Sequence, residues 1–194
     1  FIKAALETMS VGDLKLPIVI SVPVDLRQYF PSVTARNFFG VINVEFKAGK
    51  LDHSLEEIVE AVAASFKDQL TEEKILDTMN NYSTFEHNLA IKIVPLFIKE
   101  WGISGITFLT KKGVTATVSN LGRIELPETL RGYVRQFSAF MATSNMQVTI
   151  ATFGDRLTFG FCSPFEETDV TLNFFRLLTD LGIEAEIATN DCDI

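Results

Sequence analysis

With two cysteines, two histidines and one tryptophan in 194 residues, the sequence has few of the side chains that most often carry chemistry. Cys162 and Cys192 make neither a CxxC pair nor a Cys/His set, so a zinc site and a redox dithiol are excluded, and reduced thiols in a cytoplasmic protein are expected. Cys162 follows an apolar run and reads as a buried, inert thiol. Cys192 lies in an acidic tail, where neighbouring carboxylates oppose thiolate formation. His53 sits in an acidic turn and His87 in a polar run; neither has a partner at metal-ligand or relay spacing, and both read as surface histidines. There is no GxGxxG and no GxxxxGK followed by Ser or Thr, which excludes the glycine-rich phosphate loops. Basic residues are outnumbered, 17 against 25 acidic, for a net charge of −8, and no Lys/Arg cluster interrupts that balance. Non-specific nucleic-acid binding needs a basic face and is excluded. No apolar run approaches the roughly 18 residues that span a bilayer, so neither a membrane span nor a signal peptide is expected.

What is present is a well-patterned apolar framework. Hydrophobic residues make up 47% and charged residues 22%, which excludes a disordered chain, and the length fits one domain over residues 1–194. The stretch from Pro17 to Phe46 holds two β-branched runs, Ile18–Val24 and Phe38–Phe46, that read as strands joined by a polar loop too long for a tight hairpin. Ser54 and Glu57 form a capping box ahead of an amphipathic helix to about Leu70. A second helix starts at Thr71–Glu73 and is expected to stop at Asn80–Asn81. A third, Asn88–Trp101, is apolar nearly all round and should be buried, with Pro95 predicting a kink or a late start. Ile106–Leu109 is a short apolar run, and further strands are expected at Val114–Val118, Phe137–Met141, Met146–Phe153 and Leu157–Phe161, the last two joined by a Gly154–Asp155 hairpin. Ser119–Gly122 should break the strand before it. A final helix starts near Ser163–Glu166 and stops at Gly182, with an edge strand at Glu184–Thr189. The pattern implies a mixed α/β fold of the α+β type, with helices packed on a largely antiparallel sheet. Glu56, Glu57 and Glu60 are spread along one helix as a solvated face, so spacing alone yields no self-sufficient active site and no metal site.

Several stretches together resemble the CoA-dependent acyltransferase superfamily, which includes peptide-synthetase condensation domains, wax ester synthases, alcohol acetyltransferases and chloramphenicol acetyltransferase. Ile20-Ser21-Val22-Pro23-Val24-Asp25-Leu26-Arg27 is similar to that family's hydrophobic–Pro–hydrophobic–x–x–Arg motif. Asn37-Phe38-Phe39-Gly40 with Asn43 is similar to its Phe-Phe/Asn segment. Val118-Ser119-Asn120-Leu121-Gly122 matches a strand-plus-turn further on. Gln147–Ile150 with Gly154–Gly160 looks like the closing hairpin.

The resemblance implies the C-terminal lobe of a chloramphenicol acetyltransferase-like two-lobe fold, with a tunnel between the lobes. Such a lobe would take part in moving an acyl group from a CoA or carrier thioester, used as co-substrate rather than as a bound cofactor, to a small-molecule alcohol or amine. The family's general base lies in an HHxxxDG motif on the first lobe. Neither His53 nor His87 has that context, and the start at Phe1 fits a chain cut from something longer. No catalytic residue is therefore assigned here, and the isolated lobe is expected to be inactive. The matching positions imply a substrate channel formed by Asp25, Arg27, Asn37, Phe38, Phe39, Gly40, Ser119 and Asn120, with the last two near a tetrahedral oxyanion. Six of these have a plainer role: a surface ion pair for Asp25 and Arg27, core packing for Phe38 and Phe39, a polar turn for Ser119 and Asn120. Expected partners are the N-terminal catalytic lobe, the acyl acceptor and a second copy through an apolar lobe interface. The alternative is a non-catalytic binding or assembly module on the same scaffold.

Overall fold

The sheet is laid down by five strands in the order β2-β1-β3-β4-β5. The computed structural model describes residues 1–87, 94–141 and 144–189, of which 14, 81–87 and 106–112 are described by backbone alone. The strands are β1 (Ile18–Asp25), β2 (Phe39–Phe46), β3 (Ala116–Arg123), β4 (Met146–Phe153) and β5 (Arg156–Cys162). The described helices are α1 (Ile2–Leu6), α2 (Leu55–Gln69), α3 (Glu72–His87), α4 (Leu96–Lys112), α5 (Glu128–Arg131) and α6 (Asp169–Asp180). The sheet is mixed. β1, β3 and β4 run parallel, and the two edge strands β2 and β5 run antiparallel to their neighbours.

One face of the sheet carries the core. Ile18, Ile20, Val44 and Phe46 meet Ala116 and Met146 there, and α1 and α2 close over them through Ile2, Ala5, Leu6 and Ile58. Leu6 is 1% exposed, the most deeply buried large side chain of the described residues. At the far side α6 lays Phe174 and Phe175 against Phe159 and Phe161 of β5, in edge-on and tilted ring contacts of 5.1–5.6 Å. The capping box forms as the sequence predicts: the Ser54 hydroxyl accepts from the Glu57 N–H, and the Glu57 carboxylate accepts from the Ser54 N–H. Gly182 ends α6 at φ 76°, with the Gly182 and Ile183 amides donating back to Thr179 and Leu178. Gly154, at φ 61°, opens a two-residue turn between β4 and β5, and positive φ at the first central residue alone is the II′ pattern.

The β1–β3 ladder is short, and β1 supplies the reason. The Val19 carbonyl accepts from the Thr115 N–H, and its own N–H donates to the Thr115 hydroxyl, so Val19 turns its backbone toward β3. The β1–β2 register runs from Ile18 to Asp25 without a bulge, so Ser21, Pro23 and Asp25 turn the same way. Pro23 has no N–H to give β3, and pairing stops at Ser21–Thr117.

Several expectations fail. Phe137–Met141 makes no ladder; it crosses the second face of the sheet over β4 and β5, held by the Thr149 hydroxyl on the Ala139 carbonyl and by Phe137 against Phe153. Residues 184–189 form no strand; the short apolar run Ile106–Leu109, to which the sequence assigns no element, is part of α4. β3 continues through Ser119–Gly122 by a register shift between Asn120 and Arg123, where Gly122 takes φ 72°. α3 runs past Asn80–Asn81 to His87. The helix expected at Asn88 has its first residues outside the described residues; its described part starts directly after Pro95, whose carbonyl accepts from the Ile98 and Lys99 amides. Its side chains are not buried: Leu96, Phe97, Ile98 and Ile103 are exposed and Trp101 is 86% exposed. Likewise α6 starts at Asp169 because Ser163 turns the chain locally, accepting from the Phe165 N–H. No helix among the described residues is long and apolar enough to cross a membrane.

Candidate functional site

The end of the sheet where β1 and β3 finish and β2 begins collects most of the polar side chains singled out from sequence. Asp25 is the last residue of β1, and its carboxylate accepts from both the backbone N–H and the guanidinium of Arg27, each at 3.1 Å. The other guanidinium nitrogen of Arg27 donates to the carbonyls of Thr34 and Arg36, each at 2.9 Å. One planar donor group thereby ties the end of β1 to the far side of the loop, a task for which a forked guanidinium suits better than a lysine. The group also lies 6.0 Å from the centre of the Phe38 ring, within cation–π range.

The Phe38–Phe39–Gly40 run locks onto the same loop from the other side. The Leu26 N–H donates to the Phe38 carbonyl at 3.1 Å, and Leu26 is buried beneath. A Cβ at Gly40 would stand 3.3 Å from a Leu26 methyl, so glycine there lets the two strands close over that leucine. Asp25 and Phe39 are cross-strand partners, as are Val24 and Gly40. Asp25, Arg27, Phe38, Phe39 and Gly40 therefore form one contact network, while Asn37 is exposed beside it.

Ser119 and Asn120 stand on β3, at the same end of the sheet. Ser119 is half-buried. The Asn120 side-chain oxygen accepts from the Gly122 N–H at 2.8 Å, which leaves its amide nitrogen as a donor. Arg123 fixes the turn further, donating to the Gly154 carbonyl at 3.4 Å. No hydrogen bond or ion pair joins Ser119 or Asn120 to the Arg27 network among the described residues. The two groups flank the stretch over which β1 and β3 are unpaired.

Among the described side chains, no histidine stands at this end. His53 follows β2 at the opposite end, where Phe46 faces Ile18. There its ring sits edge-on to Phe46 at 5.1 Å, with Nε2 2.6 Å from the Ala48 carbonyl and Nδ1 3.0 Å from the Glu57 carboxylate. The expected surface histidine is thus a junction residue, and Lys3 of α1 adds a bond to its carbonyl at 2.8 Å. The hydrogen bond from His53, followed by that from the Ser54 N–H and the nearby Lys50 charge, holds the Glu57 carboxyl below its ordinary value. The side chain of His87, and all of Cys192, lie outside the described residues. Cys162 is half-buried rather than fully enclosed. No cluster of three or more His, Cys, Asp or Glu that could hold a metal is found among the described residues.

Sequence reasoning missed a cleft of about 350 Å³ beside the Phe39–Ile42 run, closed on its other side by the end of α2 and the first turns of α3. Its helix residues were legible as helix, with Ile75 and Met79 on an apolar stripe. That the stripe stands beside the open edge of β2 depends on strand order, for which the sequence carries no signal. No family model, no curated protein and no solved structure matches this chain.

Proposed function

We propose that the chain is the channel-forming lobe of a two-lobe acyltransferase. It would help move an acyl group from a CoA or carrier thioester to an alcohol or amine, in the cytoplasm, with the general base supplied by the other lobe. The supporting observation is one of placement. The motif stretches that carry the resemblance are far apart in sequence, yet Pro23–Arg27, Asn37–Gly40, Ser119–Gly122 and the Gly154 turn gather at one end of the sheet. In that arrangement the Arg27 network is a brace that holds the loop, and Ser119 with the Asn120 amide offers donors to a developing oxyanion. The base is not among the described groups at that end, consistent with a reaction completed by a second lobe.

The test is thioester transfer by the full-length protein, followed as free thiol released from a panel of acyl-CoAs. Thiol release that depends on an HHxxxDG histidine upstream is the expected result, with Ser119→Ala and Asn120→Ala each lowering turnover by about 10²-fold if they meet the oxyanion. Unchanged turnover in both variants would remove these residues from the site. Absence of release across the panel would favour the second reading, a binding or assembly module. The exposed apolar row of α4, from Leu96 to Ile103, is the observation that speaks for it.

A further inference from the structure

The strand alternation that explains Pro23 also assigns the backbone of β2. Residues 40, 42, 44 and 46 pair with the residues of β1 whose N–H and C=O groups turn away from β3, so they use their own backbone groups on β1. The Phe38 carbonyl, bonded to Leu26 on the β1 side, has the same parity. Odd-numbered residues therefore turn outward, along the free edge of the sheet. Asn43 confirms it: its carbonyl accepts from the Gln69 side-chain amide at 2.8 Å, outside the ladder. Gln69 thus occupies, with one amide, the place a neighbouring strand would take.

Two residues along, Val41 presents the next outward N–H and C=O, and neither has a hydrogen-bond partner among the described residues. These groups open into the 350 Å³ cleft, which has room for about a dozen water-sized groups, or one to two amino-acid residues. Leu70, Ile75 and Met79 line its helix side. The polar side chains around it are already engaged: Gln69 also bonds Ser65, Lys74 pairs with Asp68 at 2.6 Å, and the Thr78 hydroxyl donates to the Lys74 carbonyl. Asp77 adds negative charge at the rim of a chain already at −8. The cleft thus offers backbone hydrogen bonding and apolar contact, and repels acidic groups.

We propose that the free edge of β2 at Val41 accepts an extended, apolar, non-acidic peptide segment as an added strand. One residue of the segment exchanges both backbone hydrogen bonds with Val41, and its helix-side neighbours pack on Leu70, Ile75 and Met79. The site does not depend on the acyl-transfer reading, and it is tested by binding rather than by turnover.

The experiment titrates the protein with acetyl-Leu-Val-Leu-amide, the same peptide N-methylated at valine, and 2-decanone as an apolar ligand with no N–H to donate, followed by calorimetry and amide chemical shifts. The peptide is expected to bind with Kd on the order of 100 μM, shifting the Val41 amide. N-methylation should weaken binding about tenfold, the equivalent of one hydrogen bond. Val41→Pro removes only an outward N–H from an edge strand, so it should fold like the parent and lose about tenfold in affinity. Absence of peptide binding, equal binding of the N-methylated peptide, or equal binding of 2-decanone would overturn the proposal. So would unfolding of Val41→Pro, since that would place the Val41 N–H in the β1 ladder.

Discussion

Gly160 is the position where a single methyl group does most damage. It lies in β5 opposite Thr149, beneath the 137–141 segment that crosses the second face of the sheet. A Cβ added there would stand 2.5 Å from the Ala139 carbonyl oxygen and 2.6 Å from the Thr149 hydroxyl, and the ring of Phe140 is 3.3 Å away. Two of these three are a backbone atom and a buried β-branched side chain, which cannot swing aside as a long flexible chain would. Relief requires the crossing segment to lift, and lifting it breaks the Thr149–Ala139 hydrogen bond. Overpacking of this kind costs about 1–3 kcal/mol and the lost bond about 1 more, so Gly160→Ala should destabilise by roughly 2–4 kcal/mol. For a chain of this size that corresponds to a fall of roughly 5–12 °C in the thermal midpoint. Urea unfolding of the purified protein measures it, and a double-mutant cycle with Thr149→Ala sharpens it. With the hydroxyl gone the segment is already loosened, so the second substitution should add less than its separate effect by at least about 0.5 kcal/mol. A Gly160→Ala protein within about 0.5 kcal/mol of the parent, or strict additivity in the cycle, would refute the packing argument.

Arg27→Ala removes the brace between β1 and the loop; we expect faster proteolysis between residues 28 and 38 and a loss of about 1–2 kcal/mol, with Arg27→Lys recovering only part of it. Equal cleavage rates in parent and variant would show that the loop holds itself. The Glu57 carboxyl, held low by His53, Ser54 and Lys50, contributes stability that is fully present above the ordinary carboxylate value and is lost as pH falls through its lowered folded value. The midpoint difference between the parent and Glu57→Gln should accordingly be constant above the ordinary carboxylate range, at about pH 5, and shrink as the pH falls below it. A difference that grows on acidification would reverse the assignment.

Local chemistry was legible wherever the determinant is short-range. The Ser54–Glu57 box, the stop at Gly182, the Gly154 turn and the Pro95 start each depend on a few neighbouring residues, and each forms as the sequence predicts. Phe137–Met141 has a strand's composition, but composition says only that a segment is extended and apolar. Whether it joins a ladder or lies across one depends on the neighbour it meets, here a glycine flat enough to be crossed. The apolar surround of α4 predicted burial, yet burial needs a second surface, and none of the described residues provides it. The mixed sheet was legible as a class, though two of its four ladders prove parallel. At the candidate site the sequence pointed to Asp25, Arg27 and Gly40 individually. Their mutual contacts arise because the loop returns antiparallel, a pairing that residue types alone do not encode.

The two-pair ladder between β1 and β3 has a mechanical consequence. On one side of it β2 and β1 share eight residue pairs, and on the other β4 and β5 share seven, so the sheet consists of two firmly zipped halves joined at a seam. What spans the seam is mainly the layer beneath, where α1 meets α6 and Ala116 is packed with Ile20. Amide hydrogen exchange should therefore divide the sheet into two cooperative foldons. The Ser21–Thr117 amides would exchange well before those at the centre of either half. The halves can hinge about that line while their own ladders stay intact, which places the most yielding part of the sheet beside the end where the candidate residues gather.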